Sequence, residues 1–178
     1  MTWNAVLPVI TLILGYFGTL LTESKRDARA ATRAQAERDA SAAQKRHEWR
    51  ETFELETLLR AHNSLSDLAR AAMRQHLADW REARVTGQYG TALVDDELSQ
   101  ALLTANRAVH DVLGLILDDD IRASVQRAHE AMNLPATHRG TATDAENLVC
   151  LGVAQLRLAQ EAVGERIRAI YKGSVTTS

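Results

Sequence analysis

Residues 55–76 read LETLLRAHNSLSDLARAAMRQH and carry the pattern that decides the fold. Apolar side chains and two histidines recur here at alternating spacings of three and four residues, at Leu55, Leu58, His62, Leu65, Ala69, Ala72 and His76. This period places them along one face of an α-helix. The stripe is widened on either side by Leu59, Leu68, Met73, Leu77 and Trp80. The pattern predicts a core-facing helix that ends near Val85–Gly87, where glycines first cluster.

Two later stretches repeat the same spacing. The first follows the acidic start Asp95–Glu97 and consists of Leu98, Leu102, Ala105, Val109, Val112 and Ile116. The second follows Thr143-x-x-Glu146, a capping box, and consists of Val149, Val153, Leu156, Gln160, Val163, Ile167 and Ile170. Residues 134–141 contain Pro135 and Gly140 and predict a loop between these helices.

The triplet Asp118–Asp120 leaves the number of helices open. Aspartate caps helices well and propagates them poorly, so a break here is one alternative. We favour a bent but continuous helix to about Asn133, because one apolar ridge runs through Leu113, Leu117, Ile121, Val125, Ala128 and Met132. The predicted fold is all-α, with an antiparallel three-helix bundle over residues 48–172, or four helices if the chain breaks, and a flexible tail over 173–178.

The N-terminal stretch 1–22 carries no Asp, Glu, Lys, Arg or His and is strongly apolar. About 20 such residues span the hydrocarbon core of a bilayer, so the stretch predicts a single transmembrane helix. A cleaved signal peptide would have a basic start and a small-residue cleavage site, and neither is present. A buried core helix is the other alternative. The anchor features are Trp3 at the interface, Pro8 in the first turns, Gly15 in a small-residue face, and the aromatic pair Tyr16 and Phe17.

Residues 23–47 follow the predicted anchor as a basic helical stalk, rich in Ala and Arg. They contain no Gly or Pro, and alanine is their only apolar residue, which is typical of a helix exposed on all sides. Between Lys25 and Arg46 there are seven basic and three acidic residues. The positive-inside rule therefore predicts a single-pass protein of the cell membrane, with its N-terminus outside and its body cytoplasmic. The basic residues that would face anionic lipid are Lys25, Arg26, Arg29 and Arg33.

The net charge of −2 is a sum of unlike parts. Residues 23–47 carry seven basic and four acidic side chains, whereas residues 48–178 carry 14 basic and 19 acidic ones. A generally basic nucleic-acid binder is excluded, and no aromatic residues interleave with the stalk charges as they do in single-strand binders. The partners predicted are the membrane, an unidentified protein and, because near-heptad stripes suit coiled-coil packing, a second copy of the chain.

Sequence motifs for catalysis are missing. There is no Gly-x-Gly-x-x-Gly, no phosphate loop and no Gly-x-Ser-x-Gly. The six histidines show no metal-ligand spacing, and no cofactor, metal or small-molecule substrate is predicted. The only cysteine, Cys150, lies beside the Val149/Val153 stripe and predicts a small buried hydrophobe.

One pattern of histidines suggests regulation. His62 and His76 are fourteen residues apart and share a heptad register on the first body helix. The simpler interpretation is two residues at the edge of a packing seam. The functional interpretation is a pH-sensitive seam, because protonation near pH 6 would place two charges along one interface.

Two architectures resemble parts of this chain. The apolar N-terminus and the Ala/Arg/Glu-rich helix after it resemble the stalk subunit of rotary ATP synthases as far as about residue 50. The anchor and coil are similar in outline to the inner-membrane spanins of phages, whose bodies lie outside the membrane. Neither resemblance rests on a diagnostic motif. The leading hypothesis is a membrane-anchored helical scaffold that presents a cytoplasmic bundle to protein partners, without catalysis. The alternative is an envelope-spanning or lysis-type component of a phage or bacterium, with its body outside the cytoplasm.

Overall fold

The protein is described by a computed structural model that covers the backbone of residues 3–91 and 96–175 and the side chains of residues 32–91 and 96–173. These residues form four helices, α1 Trp3–Thr86, α2 Asp96–Leu113, α3 Asp119–Thr137 and α4 Ala142–Val175. The all-α prediction is confirmed for this part of the chain. The chain divides into two compact units, Met1–Arg50 and Glu51–Ser178.

The first unit is helical from Trp3 onward. Every side chain from Thr32 to Arg50 is exposed to solvent, as the alanine-rich stalk sequence predicts. The predicted anchor 1–22 lies outside the residues whose side chains are described, and so do the stalk residues Lys25, Arg26 and Arg29. Within the described part, no helix is both long and apolar enough to cross a membrane.

In the second unit, α1 ends where the glycines predict. The Gly87 N–H donates to the Ala83 carbonyl at 2.8 Å, which closes the last turn. Gly87 has φ +79°, the left-handed conformation that glycine adopts without steric cost after a helix.

The expectation of one continuous helix through Asp118–Asp120 is wrong. Helix α2 ends at Leu113, Gly114 follows it, and the Asp118 carboxylate caps α3 by accepting from the N–H groups of Asp120 and Ile121, both at 3.0 Å. Arg122 reinforces the break, since its Nε donates to the Ile116 carbonyl at 3.0 Å. The bundle therefore has the fourth helix that the sequence left as an alternative.

The connection between α3 and α4 is shorter than predicted. Helix α3 continues to Thr137 and includes Pro135, so the predicted start of the loop at residue 134 is wrong. The cap of α4 is also misplaced by the sequence, because Thr141 rather than Thr143 accepts the Asp144 N–H, at 3.1 Å. The tail prediction begins too early, since α4 runs to Val175, and residues 176–178 lie outside the description.

Contacts between α1 and α4 show that these helices are antiparallel. Glu54 pairs with Arg166, Ser66 with Gln160, and Trp80 with Glu146, so residue numbers fall along α4 as they rise along α1. The core between the helices is mostly aliphatic and contains Leu58, Leu65, Leu68, Val109, Val112, Ile116, Ile121, Val125, Met132 and Val163.

The residues of α4 that are buried differ in part from the predicted ones. A Cβ on the buried Gly152 would lie 3.0 Å from the Met132 sulfur, so α3 approaches α4 closely along small residues. Consequently Val153 turns outward and is 46 % exposed, and Cys150 is exposed rather than buried. Leu59, Leu77 and Leu117 were also expected on core faces and are exposed.

Candidate functional site

The structure does not join the two histidines of the predicted seam into one site. His62 is half-buried, whereas His76 is buried. Fourteen residues of helix separate them, a rise of about 21 Å. The site around His76 instead includes residues from two connections of the bundle.

His76 contacts Tyr89, which lies in the α1–α2 connection. The His76 Nδ1 and the Tyr89 hydroxyl are 2.9 Å apart, and the ring centroids are separated by 5.6 Å. Tyr89 is only 1 % exposed. Its backbone N–H donates to the Gly140 carbonyl at 2.9 Å, which forms an isolated β-bridge to the α3–α4 connection. The side chain and backbone of Tyr89 thus join α1 to both connections.

Burial sets the protonation states of this pair. Burial lowers the pKa of His76, and Glu146 and Asp79 oppose this only in part. Burial, and then the negative charge of Asp79, raise the pKa of Tyr89 to about 12. At neutral pH the imidazole is therefore neutral and Tyr89 keeps its hydroxyl proton, so the two side chains share a hydrogen bond between neutral groups.

His138 completes the cluster from the α3–α4 connection. Its ring lies 6.0 Å from the Tyr89 ring, and its Nε2 is buried without a hydrogen-bond partner among the described residues. Glycine is needed at position 90, because φ there is +76° and a Cβ would lie 2.3 Å from the His138 carbonyl, whereas a Cβ on Gly140 would lie 2.9 Å from the end of the His138 side chain. The Tyr89–Gly140 hydrogen bond and the contact between the Tyr89 and His138 rings join the two connections.

A second histidine cluster joins α2 to α3. The Asn106 Oδ1 accepts from His129 Nε2 at 2.8 Å and from Asn133 Nδ2 at 2.7 Å. Burial lowers the pKa of His129, and the nearby His110 lowers it further. The polar groups line an open groove of about 580 Å³, with Leu103, 60 % exposed, at its edge.

A third surface is a groove between α1 and α2 of about 550 Å³. Its floor is formed by Ala71, Ala101, Ala105 and Ala108, and we call it the alanine groove. Arg74 lies on its α1 side and Glu97 on its α2 side. The floor presents only methyl groups, so the groove can accept the close approach of another helix with small side chains.

Among the side chains that are described, no group of three or more His, Cys, Asp or Glu is placed to hold a metal ion. Of the predicted stalk residues, Arg33 lies within the described range and is exposed. The anchor residues Trp3, Pro8, Gly15, Tyr16 and Phe17 lie outside it.

Sequence reasoning missed Tyr89, His138, Asn106 and His129. Tyr89 had a usable signal, since an aromatic residue between Gly87 and Gly90 in a polar connection is a candidate for burial. No spacing in the sequence pairs Asn106 with His129, because their contact depends on the break after Leu113.

Comparison with known proteins gives no relative: no protein-family model, curated protein or solved structure matches this chain.

Proposed function

We propose that the protein is a non-catalytic, membrane-anchored scaffold whose helical bundle is presented to protein partners in the cytoplasm. The observation that carries this proposal is the contrast within α1 between the exposed stretch Thr32–Arg50 and the packed stretch that follows. A helix that buries nothing over nineteen residues is typical of a spacer. The uncharged stretch 1–22 before it is the segment proposed as the single-pass anchor, with the N-terminus outside.

The surface of the bundle supports a role in protein binding. The groove between α2 and α3 combines the exposed Leu103 with Arg107, His110 and the half-buried His129. Helix α4 adds the exposed apolar residues Leu151, Val153 and Leu158. Aliphatic side chains beside a few polar groups are a common basis of helix recognition.

The topology is tested by a reporter fused after Ser178 and read on either side of the membrane. Cytoplasmic activity is expected, because the basic flank Lys25–Arg46 should remain inside. External activity would overturn the cytoplasmic scaffold and favour the envelope-spanning or lysis-type component. Recovery of the chain in the soluble fraction after cell breakage would overturn both.

Recruitment is tested by a pull-down with the full chain from detergent-solubilised membranes. A specific host protein is expected to co-purify, and its recovery should fall when Leu103 is replaced by Glu, which places a charge on the edge of the α2–α3 groove. Arg127→Glu is the matched control, since Arg127 is exposed on α3 and does not line that groove. Equal recovery with both variants would exclude the groove as the binding surface.

A further inference from the structure

One face of the exposed stalk combines small side chains with separated charges. Ala34 and Ser41 are seven residues apart and therefore lie on the same side of the helix. Glu37 and Arg38 are successive residues, about 100° apart around the helix, so they fall on opposite flanks of the Ala34–Ser41 line. All four side chains are exposed. We call these four residues the stalk face.

The alanine groove has the complementary arrangement. Ala71 and Ala105 are buried in its floor, and Ala101 and Ala108 are half-buried. On the α1 side Asp67 and Arg70 pair with each other. Arg74 therefore leaves a net positive charge there, and Glu97 contributes a negative charge on the α2 side. An acidic and a basic flank on the stalk face thus correspond to a basic and an acidic side of the groove.

We propose that the alanine groove binds the stalk face of a second copy of this chain. Ala34 and Ser41 of the second copy lie on the alanine floor, where short side chains allow the two helices to approach closely. Glu37 faces Arg74, and Arg38 faces Glu97. The proposal does not depend on membrane anchoring or on a host partner, so it can fail while the proposed function stands.

The charges determine the direction of the bound helix. Reversing the stalk end for end exchanges the sides of Glu37 and Arg38, which would place Glu37 beside Glu97 and Arg38 beside Arg74. Exposed ion pairs add little to affinity, whereas like-charge pairs discriminate strongly between alignments. The alanine floor therefore provides the contact, and the two charge pairs select one of its two orientations.

Cross-linking of the full chain in a mild detergent tests the contact. In a Cys150→Ser background, Ser41→Cys copies are mixed with differently tagged Ala101→Cys copies and oxidised. A disulfide between the two tags is expected. The control replaces Ala101→Cys by Leu158→Cys, an exposed site on α4 outside the groove. Cross-linking no stronger than in this control would overturn the proposal, and so would a chain that remains monomeric at every concentration.

A charge exchange tests the orientation and guards against a variant that fails to fold. Arg74→Glu should weaken self-association of the full chain by about tenfold, because it places two acidic side chains together. Adding Glu37→Arg to the same chain should restore most of the loss. Arg81→Glu is the matched control, being an exposed arginine of α1 outside the groove. An Arg74→Glu chain that associates like the control would overturn the proposal, and so would a failure of the double variant to recover association while its helix content is normal.

Discussion

Helix α1 contains two stretches that are both rich in alanine but differ in burial. Every side chain of residues 32–50 is exposed, whereas residues 51–86 contribute Leu58, Leu65 and Leu68 to the core. Ala61 and Ala71 are buried in the second stretch, but no alanine is buried in the first. Alanine therefore favours the helix in both stretches, while leucines on one face determine where the helix packs.

Among these predictions, the largest change in the free energy of unfolding is expected at Leu65, which is fully buried. Leu65→Ala should lower the free energy of unfolding by about 2–5 kcal/mol, because it removes apolar contacts and leaves a cavity. Urea unfolding of the full chain in a mild detergent, followed by circular dichroism, measures the loss. Leu59→Ala is the control. Because Leu59 is 44 % exposed, its truncation should lower the free energy of unfolding much less. Equal losses at the two sites would contradict the assigned core.

The next effect is expected where the two connections meet. Gly90→Ala should destabilise the bundle by about 2–4 kcal/mol, because φ there is +76° and the added Cβ meets the His138 carbonyl. Gly87 is the matched control, having φ +79° and nothing within 4 Å of an added Cβ. Gly87→Ala should cost only the backbone strain, about 1–2 kcal/mol. The difference between the two melting temperatures checks the contact, and a larger loss at Gly87 would contradict it.

A smaller effect is expected at the ion pair that joins α1 to α4. The Arg166 guanidinium donates to both Glu54 carboxylate oxygens, at 2.6 and 3.0 Å. The Glu54 side chain is 9 % exposed and that of Arg166 is 43 % exposed. Arg166→Ala leaves the carboxylate buried and unpaired, so it should cost about 1–3 kcal/mol, after allowance for the exposed arginine. Glu54→Gln should cost less, because the amide oxygen still accepts from Arg166, and urea midpoints of both variants decide the order.

A modest pH dependence is expected from the buried His76 and the half-buried His129. Burial lowers the pKa of His76 and of His129 from 6.5 in the folded chain. The unfolded chain therefore binds protons near pH 6.5 while the folded chain does not, so stability is full above that pH and falls below it. Unfolding midpoints at about pH 7.5 and about pH 5.5 test the sign. A midpoint that rises on acidification would contradict it, and His76→Asn should flatten the slope.

The smallest effect is expected in the exposed stretch. Ala43→Gly should lower the helix content locally by disfavouring the helix there by about 1 kcal/mol. The unfolding midpoint of the bundle should stay unchanged, because the Ala43 side chain is exposed. A fall in the unfolding midpoint as large as that of Leu65→Ala would show that the Ala43 side chain is packed rather than exposed.

The helices and most of the core could be predicted from the sequence because spacing reports directly on burial. Ala105, Val109 and Val112 of the predicted α2 stripe are buried, and so is Ile116 just beyond the end of the helix. In α4 the predicted stripe is correct at Val163 and Ile170, which are buried, but wrong at Val153. The core face there includes the small residues Gly152 and Ala159, which a pattern of large apolar residues overlooks. Val153 was therefore expected in the core, whereas its neighbour Gly152 is the buried residue.

The candidate sites were less predictable than the fold. Of the two seam histidines, His76 is buried as part of a polar cluster, but its partners Tyr89 and His138 come from connections distant in sequence. Gly114 and Asp118 together indicate a break between α2 and α3. A continuous helix was nevertheless expected, because one ridge of apolar residues runs across this point. Its consequence, the Asn106–His129 contact, depends on packing that local sequence does not encode.

The bridge between Tyr89 and Gly140 has a consequence for local opening. Because it pairs the two connections, it closes the segment that contains α2 and α3 into a non-covalent loop. One backbone hydrogen bond and the buried Tyr89 side chain hold this loop closed. Loop closure restricts the enclosed chain, so we expect this fastening to open together with the core packing of α2 and α3 when these helices separate from α1 and α4. The Tyr89 amide is thus a natural reporter, and its rate of hydrogen exchange measures how often this loop opens.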